Sequence, residues 1–251
     1  MKPIKLSFAV ALVLAAMPLV SFAQEAEAVV EEEAESPFSW TLAATSDYVF
    51  RGVSQTNEKP AAQVGFTYTA PIGIYAGLWA SNVDFGDGGP DIELDGFVGY
   101  NTDLSDKWNL DLSVVRYSYH KGSDDYDGDY NEYIAKVSYA ATEKVGLTGL
   151  VAYANDYGNS DTKEFYSNLG ASIDVGAGVS LNLGVGYTTL EYPDDGGRDD
   201  FFDGLVGVSR DFGPINANLG YYDTFGSDAD ILKDGSDIYD DRVVLTLTLA
   251  L

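Results

Sequence analysis

The stretch Val243-Val244-Leu245-Thr246-Leu247-Thr248-Leu249-Ala250-Leu251 alternates apolar residues with small or polar ones. A period of two sends successive side chains to opposite faces, so this stretch reads as a strand with one apolar face. Moving back toward Phe38, the pattern recurs as segments of about ten residues separated by turn signals. The candidate strands span 39–51, 61–70, 73–83, 91–102, 108–120, 130–140, 145–156, 164–175, 179–190, 201–210, 215–224 and 241–251.

The connections alternate in length. Short turns hold Pro71, Leu104-Ser105-Asp106, Thr142-Glu143-Lys144, Gly176-Ala177-Gly178 and Gly213-Pro214. Longer loops lie between them at 52–60, 84–90, 121–129, 157–163, 191–200 and 225–240. Short turns on one side, longer loops on the other and an even strand number predict an all-β fold, a transmembrane up-and-down antiparallel β-barrel of about 12 strands. A soluble sandwich has no reason to keep this rhythm. A segment such as 228–238 is the place where the strand count is open.

The parity of each strand supports the same fold. Leu94 and Val98, then Leu110, Leu112 and Val114, then Leu147 and Val151, then Leu181, Leu183 and Val185 share the apolar face with the odd positions of the last strand. Trp40, Tyr68, Tyr100, Trp108 and Tyr139 fall on that face toward the short turns. Tyr48, Phe50, Tyr133, Tyr153, Tyr187 and Tyr221 fall on it toward the long loops. Amphipathic rings collect at the two membrane interfaces, so two girdles are expected. In the third strand Ile74 and Leu78 compete with Tyr75 and Trp79 for the outside.

The N-terminus reads as an export signal. Lys2 and Lys5 precede the apolar run Leu6 to Val20, and Ser21-Phe22-Ala23 fits a cleavage site. The expected organisation is a signal peptide at 1–23, an acidic disordered linker at 24–37 and the barrel at 38–251. No later segment reaches the 18 or so apolar residues of a membrane helix. Cysteine is absent, which permits the periplasm. Losing Lys2 and Lys5 leaves 12 of the 14 basic residues against 40 acidic ones, a net charge of −28. That charge excludes nucleic acid as a partner. The expected partners are outer-membrane lipid and lipopolysaccharide, with the barrel-assembly machinery, and the expected location is the cell outer membrane.

The face opposite the apolar one is the expected lumen. It is rich in small residues, among them Thr41, Gly65, Thr67, Ser172, Asn182, Gly184, Gly186, Asn218 and Thr248. Small inward residues leave room for a narrow water-filled path. The pore-lining candidates are Asp47, Arg51, Glu93, Asp95, Asp111, Glu132, Lys136, Asp203 and Arg210, with Asp91, Glu164, Asp174 and Arg242 on the same face. The acidic excess favours cations in a constriction. An internal salt-bridge network that closes the lumen is the competing reading.

The long loops carry most of the remaining acids, among them Asp84, Asp87, Asp124, Asp125, Asp127, Asp129, Asp194, Asp195, Asp199, Asp200, Asp228 and Asp230. They read as a cation-collecting rim or as plainly solvated loops. Asp125-Tyr126-Asp127-Gly128-Asp129 is not an EF-hand, because glycine precedes the third acid and no helices flank it. No cofactor and no metal ligand set is expected. His120 is the lone histidine, with Ser118 two residues before it, which gives a hydrolase one candidate pair and no third orienting group. Arg116 lies on the lipid-facing parity near the outer interface, where it meets lipid phosphate or is turned inward by a bulge. No catalytic residue is assigned.

One segment resembles a known family. Thr45-Ser46-Asp47-Tyr48-Val49-Phe50-Arg51-Gly52-Val53-Ser54-Gln55-Thr56, followed by Lys59-Pro60-Ala61, is similar to the opening signature of the TorF family, small exported proteobacterial porin-like proteins. The likeness covers Trp40 to Leu251 in length and rhythm, and its specific part is the first hairpin. It implies an outer-membrane barrel with a channel role, and the residues that transfer are Asp47, Tyr48, Phe50, Arg51, Gly52 and Gln55. Asp47 and Arg51 stand about 13 Å apart along a strand, so each is expected to pair elsewhere rather than with the other. The sequence therefore reads as a passive channel for small polar or cationic solutes. Its alternative is a closed structural or surface-binding barrel with acidic outer loops that have the chemistry to bind divalent cations.

Overall fold

The computed structural model describes residues 36–123, 126–193 and 197–251. The expected signal peptide, the linker up to residue 35, and Asp124, Asp125, Asp194 and Asp195 lie outside the described residues. The chain opens with β1 (Phe38–Thr45) and a small hairpin, β2 (Val49–Phe50) and β3 (Val53–Ser54). Next come β4 (Ala61–Thr69), β5 (Ile74–Asn82), β6 (Ile92–Ser105), β7 (Trp108–His120), β8 (Tyr130–Thr142) and β9 (Val145–Tyr157). The remainder is β10 (Thr162–Gly176), β11 (Val179–Glu191), β12 (Arg198–Phe212), β13 (Ile215–Phe225), helix α1 (Ser227–Gly235) and β14 (Arg242–Ala250).

Every strand except β2 and β3 joins one closed antiparallel barrel of 12 strands. Closure runs through β1 and β14, with Thr41 opposite Ala250 and Thr45 opposite Thr246. A closed sheet leaves no unpaired edge, which is what a strand-built membrane span requires. The alternating pattern sets the register: a slip of one residue would turn each apolar row to the wrong side.

The outer wall is apolar. Leu42, Val64, Leu78, Val98, Leu112, Val151, Val185, Val206, Leu219 and Leu245 are all exposed on it. In β5, Ile74 and Leu78 take the outside, while Tyr75 and Trp79 are 1% and 5% exposed inside the barrel. Trp40, Tyr68, Tyr100 and Trp108 form the girdle by the short turns, with Trp108 stacked on Tyr139 at 4.4 Å. Tyr133, Tyr153 and Tyr221 stand on the outside by the long loops.

One expected element differs. The strand expected over 39–51 leaves the wall after Thr45, so Tyr48 and Phe50 belong to no outer girdle. Thr45 Oγ1 donates to the carbonyl of Asp47 at 2.7 Å, a local bond that competes with continued pairing. The chain then turns inward, and the hairpin reverses at Arg51 (φ 51°) and Gly52 (φ 82°). Positive φ at both central residues is the twist-matched two-residue turn of a hairpin. The last long loop, where the strand count was open, holds α1 and a 3-10 turn at Asp237–Tyr239, so the count stays at twelve as expected.

Candidate functional site: the lumen and its inward loop

The segment from Asp47 to Thr56 folds into the long-loop half of the barrel. Asp47 organises it by accepting from Ser54 Oγ at 2.7 Å and Thr56 Oγ1 at 2.8 Å, while its other oxygen meets Arg242 of β14 at 2.9 Å. Arg242 also donates to the carbonyls of Asp237 and Asp240, tying the last loop to the first. The Tyr48 ring packs edge-on against Trp79 at 5.4 Å, and Phe50 packs edge-on against Tyr117 at 6.1 Å. Tyr48 is 2% exposed. The two rings expected in lipid thus fill the lumen, because the alternation continues in a segment that has already left the wall.

At the tip of this loop Arg51 reaches across the lumen. Its guanidinium meets Glu132 of β8 at 2.7 Å and Glu164 of β10 at 2.9 Å. It also lies over the ring of Tyr166 at 4.2 Å. Tyr117 donates its hydroxyl hydrogen to the other Glu132 oxygen at 3.1 Å. A planar guanidinium suits this bridging of two carboxylates and one ring, where an ammonium would serve only as a point charge. Gly52 is required beside it: a Cβ there would come within 2.8 Å of the Asp203 Cβ, in a backbone region that side chains disfavour.

The other expected lumen residues divide by position. Glu93 and Asp95 of β6 and Asp203 of β12 are buried on the inner face. Among the described residues none of the three has a basic side chain within ion-pair distance. Asp203 accepts from Tyr166 at 3.4 Å, and Glu93 accepts from Tyr119 at 3.5 Å. Asp111 of β7 accepts from Tyr75 at 3.0 Å and from Asn101 at 3.1 Å, and Lys136 stands opposite it in register on β8.

Arg210 lies on the outer wall, not in the lumen. It has the opposite parity to the buried Asp203 and Ser209, and its guanidinium sits 5.3 Å from the exposed Phe212 ring near a short turn. A long basic side chain can extend from that position to the membrane surface. Asp174 is likewise at the rim, exposed and 3.9 Å from Lys144.

The inward small residues serve two ends. Some receive a neighbour's ring: a Cβ on Gly99 would strike Tyr75, one on Gly77 would strike Phe97, and one on Gly186 would strike Tyr166. Others leave space. On the inner face toward the short turns, Ser138, Thr148, Gly170, Ser172 and Gly184 are partly exposed. Toward the long loops on the same strands, Glu132, Ala152, Ala154, Glu164 and Thr188 are buried under the inward loop. The long-loop side of the lumen is filled by the loop and its rings, while on the short-turn side the inner face is partly exposed along β8 to β11 and closed elsewhere, with Tyr75, Asp111, Asn182, Ser209 and Thr248 buried. A residual cavity of about 10 Å³ beside Asp47 and Gln63 has the volume of a single water at most.

Some of the acids at the long-loop end are held in local pairs. Lys59 meets Asp84 at 2.6 Å, Arg198 meets Asp200 at 2.7 Å and Lys233 meets Asp223 at 2.6 Å. The hydrogen bonds that Lys59 and the Gly86 amide donate hold the Asp84 carboxyl below its ordinary range. Among the described residues, no group of three or more histidine, cysteine, aspartate or glutamate side chains is arranged to hold a metal ion. Ser118 is half-buried and His120 exposed, both on the outward parity at the end of β7.

Comparison with known proteins places this architecture. A family model described as "Bacterial protein of unknown function (Gcw_chp)" matches residues 31–251, so the chain belongs to that family. No curated protein matches in sequence. Among solved structures, the chain is similar to the KdgM porin, with a TM-score of 0.58 at 5% identity over 84% of this chain and 98% of that one. The NanC porin gives 0.53 at 10% identity over 85% and 97%. The COG4313 outer membrane channel from Pseudomonas putida F1 gives 0.52 at 13% identity over 90% and 99%. The shared feature is the fold, which is that of outer-membrane porins and channels.

Proposed function

We propose that this member of the Gcw_chp family is an outer-membrane passive channel for small polar or cationic solutes, with its first loop as the constriction and with no catalytic role. The observation that carries the reading is the charge of the inner wall. Asp47, Glu93, Asp95, Asp111, Glu132, Glu164 and Asp203 are buried inward, against Arg51, Lys136 and Arg242. In a low-dielectric constriction such a surplus stabilises a cation and repels an anion. Partly exposed small polar residues lead from the short-turn side toward it.

The burial of Tyr48, Tyr117 and Glu132 at 2%, 1% and 0% exposure favours a second reading, a closed structural or surface-binding barrel. Planar bilayers containing protein that shows heat-dependent gel mobility separate the two. The channel reading expects small discrete conductance steps with a reversal potential that favours cations, larger when Arg51 is replaced by Gln. Silence from both proteins would leave the closed barrel, and an anion-selective current would refute the charge argument.

A further inference from the structure

The chain seats one of its own side chains in the lumen in the manner of a bound cation. The Arg51 guanidinium bridges Glu132 and Glu164, carboxylates of two different wall strands, at 2.7 and 2.9 Å. It lies over the Tyr166 ring at 4.2 Å, with the Phe50 ring 4.6 Å away. Except for Phe50, this corner is built by the wall and not by the loop. Tyr117 of β7 donates to Glu132 at 3.1 Å, and Asn168 of β10 donates to the Tyr166 hydroxyl at 3.2 Å. The wall thus holds two carboxylates and a ring in place, and the loop supplies the cation that fills them.

Two observations mark Arg51 as a replaceable occupant. It stands at the tip of a hairpin of two-residue strands, at a φ of 51° that side chains disfavour. Its contact with Glu164 is short but misaligned: among the described residues neither Arg51 Nη1 nor Glu164 Oε2 has a hydrogen-bond partner, although both are buried. Asp203 stands against Gly52 beside it, and its buried Oδ2 has no hydrogen-bond partner among the described residues either. One tethered guanidinium therefore sits in a corner with three carboxylates, two of which keep an oxygen without a hydrogen bond. A guanidinium free of the backbone can align with both Glu132 and Glu164 and form the charge-assisted hydrogen bonds that make such pairs strong.

The chemistry of the corner narrows the occupant. A planar cation with donors along its edges and a flat face suits two carboxylates and an aromatic ring. An ammonium is a compact, strongly hydrated point charge and matches only part of that set. A hard metal ion takes oxygen ligands and gains nothing from the ring, and among the described residues no group of three or more acids, histidines or cysteines is arranged to hold one. We infer that the corner formed by Glu132, Glu164 and Tyr166 is a recognition site for solutes carrying a guanidinium group, and that Arg51 is a tethered stand-in which such a solute displaces. The inference deepens the channel reading by naming its solute class, and rests on that reading for passage but not for binding.

Calorimetric titration of detergent-folded protein with ethylguanidinium, and with ethylammonium for comparison, tests it. Arg51→Ala keeps a side chain at the strained tip and removes the competing guanidinium. This variant is expected to bind one ethylguanidinium about tenfold more tightly than wild type does, and at least about tenfold more tightly than it binds ethylammonium. Adding Glu132→Gln and Glu164→Gln should abolish the binding. Wild type supplies a second measurement that needs no variant: millimolar ethylguanidinium should expose the segment between Asp47 and Pro60 to protease, and ethylammonium should not. Equal affinity for the two cations, binding that survives the loss of both carboxylates, or a wild-type loop that stays protected throughout would overturn the inference. Planar-bilayer currents answer the separate question of passage: binding without any current defeats the channel reading and leaves the recognition site standing.

Discussion

Arg51 carries a buried charge on a backbone that an asparagine or glycine would adopt more readily, with φ at 51°. Its ion pairs with Glu132 and Glu164 hold it there. Removing one partner from a buried charge cluster costs about 3–5 kcal/mol, because the remaining charges lose compensation. Arg51→Gln is therefore expected to undock the loop, seen as new protease cleavage between Asp47 and Pro60 and as a larger single-channel conductance. Adding Glu132→Gln and Glu164→Gln should restore protection, since no buried charge then stands alone. Continued cleavage in the triple variant would show that the ion pairs are not what secures the loop. Next to it, Gly52→Val meets both a positive φ of 82° and the Asp203 Cβ. Its cost is expected to be about 1–3 kcal/mol, read as a lower unfolding temperature of the folded band on gels.

At the scale of elements, the wall strands and the inward loop obey different rules. Most wall strands are legible from their own alternation, because lipid on one side and protein on the other impose a period of two. Ile74 and Tyr75 show where that signal fails: both faces of β5 are apolar, and the choice fell to the rings that Gly77 and Gly99 make room for. The inward loop carries no such signal. Tyr48 and Phe50 keep the parity of β1 while the chain has left the sheet, so a local reading put them in lipid. Asp47, Arg51 and Gly52 are visible in sequence as part of the signature, but not the direction in which the segment folds. Replacing Tyr48–Thr56 with a short Gly-Ser linker is expected to leave a barrel that still migrates as a folded species and to raise its conductance several-fold. Failure of the barrel to fold would make the loop part of the structural core and not a constriction.

For the whole molecule, the inside and outside of the barrel are the decisive distinction, and the three tryptophans report on it. Trp40 and Trp108 are 50% and 45% exposed on the outer wall, and Trp79 is 5% exposed against Tyr48 in the lumen. In vesicles of brominated lipid, wild-type emission is expected to be mostly quenched. Trp40→Phe with Trp108→Phe should leave a Trp79 signal that the bromines do not reach, and strong quenching of that signal would place β5 the other way round. The sequence by itself determined that the chain is a barrel, which way most wall strands face and where the turns lie, because those properties depend on neighbours two residues apart. Only the tertiary structure decided that the signature loop enters the lumen, that Arg51 finds Glu132 and Glu164, and that Tyr75 and Trp79 turn inward. Those depend on contacts between residues as far apart as Asp47 and Arg242, which meet at 2.9 Å only when the sheet has closed.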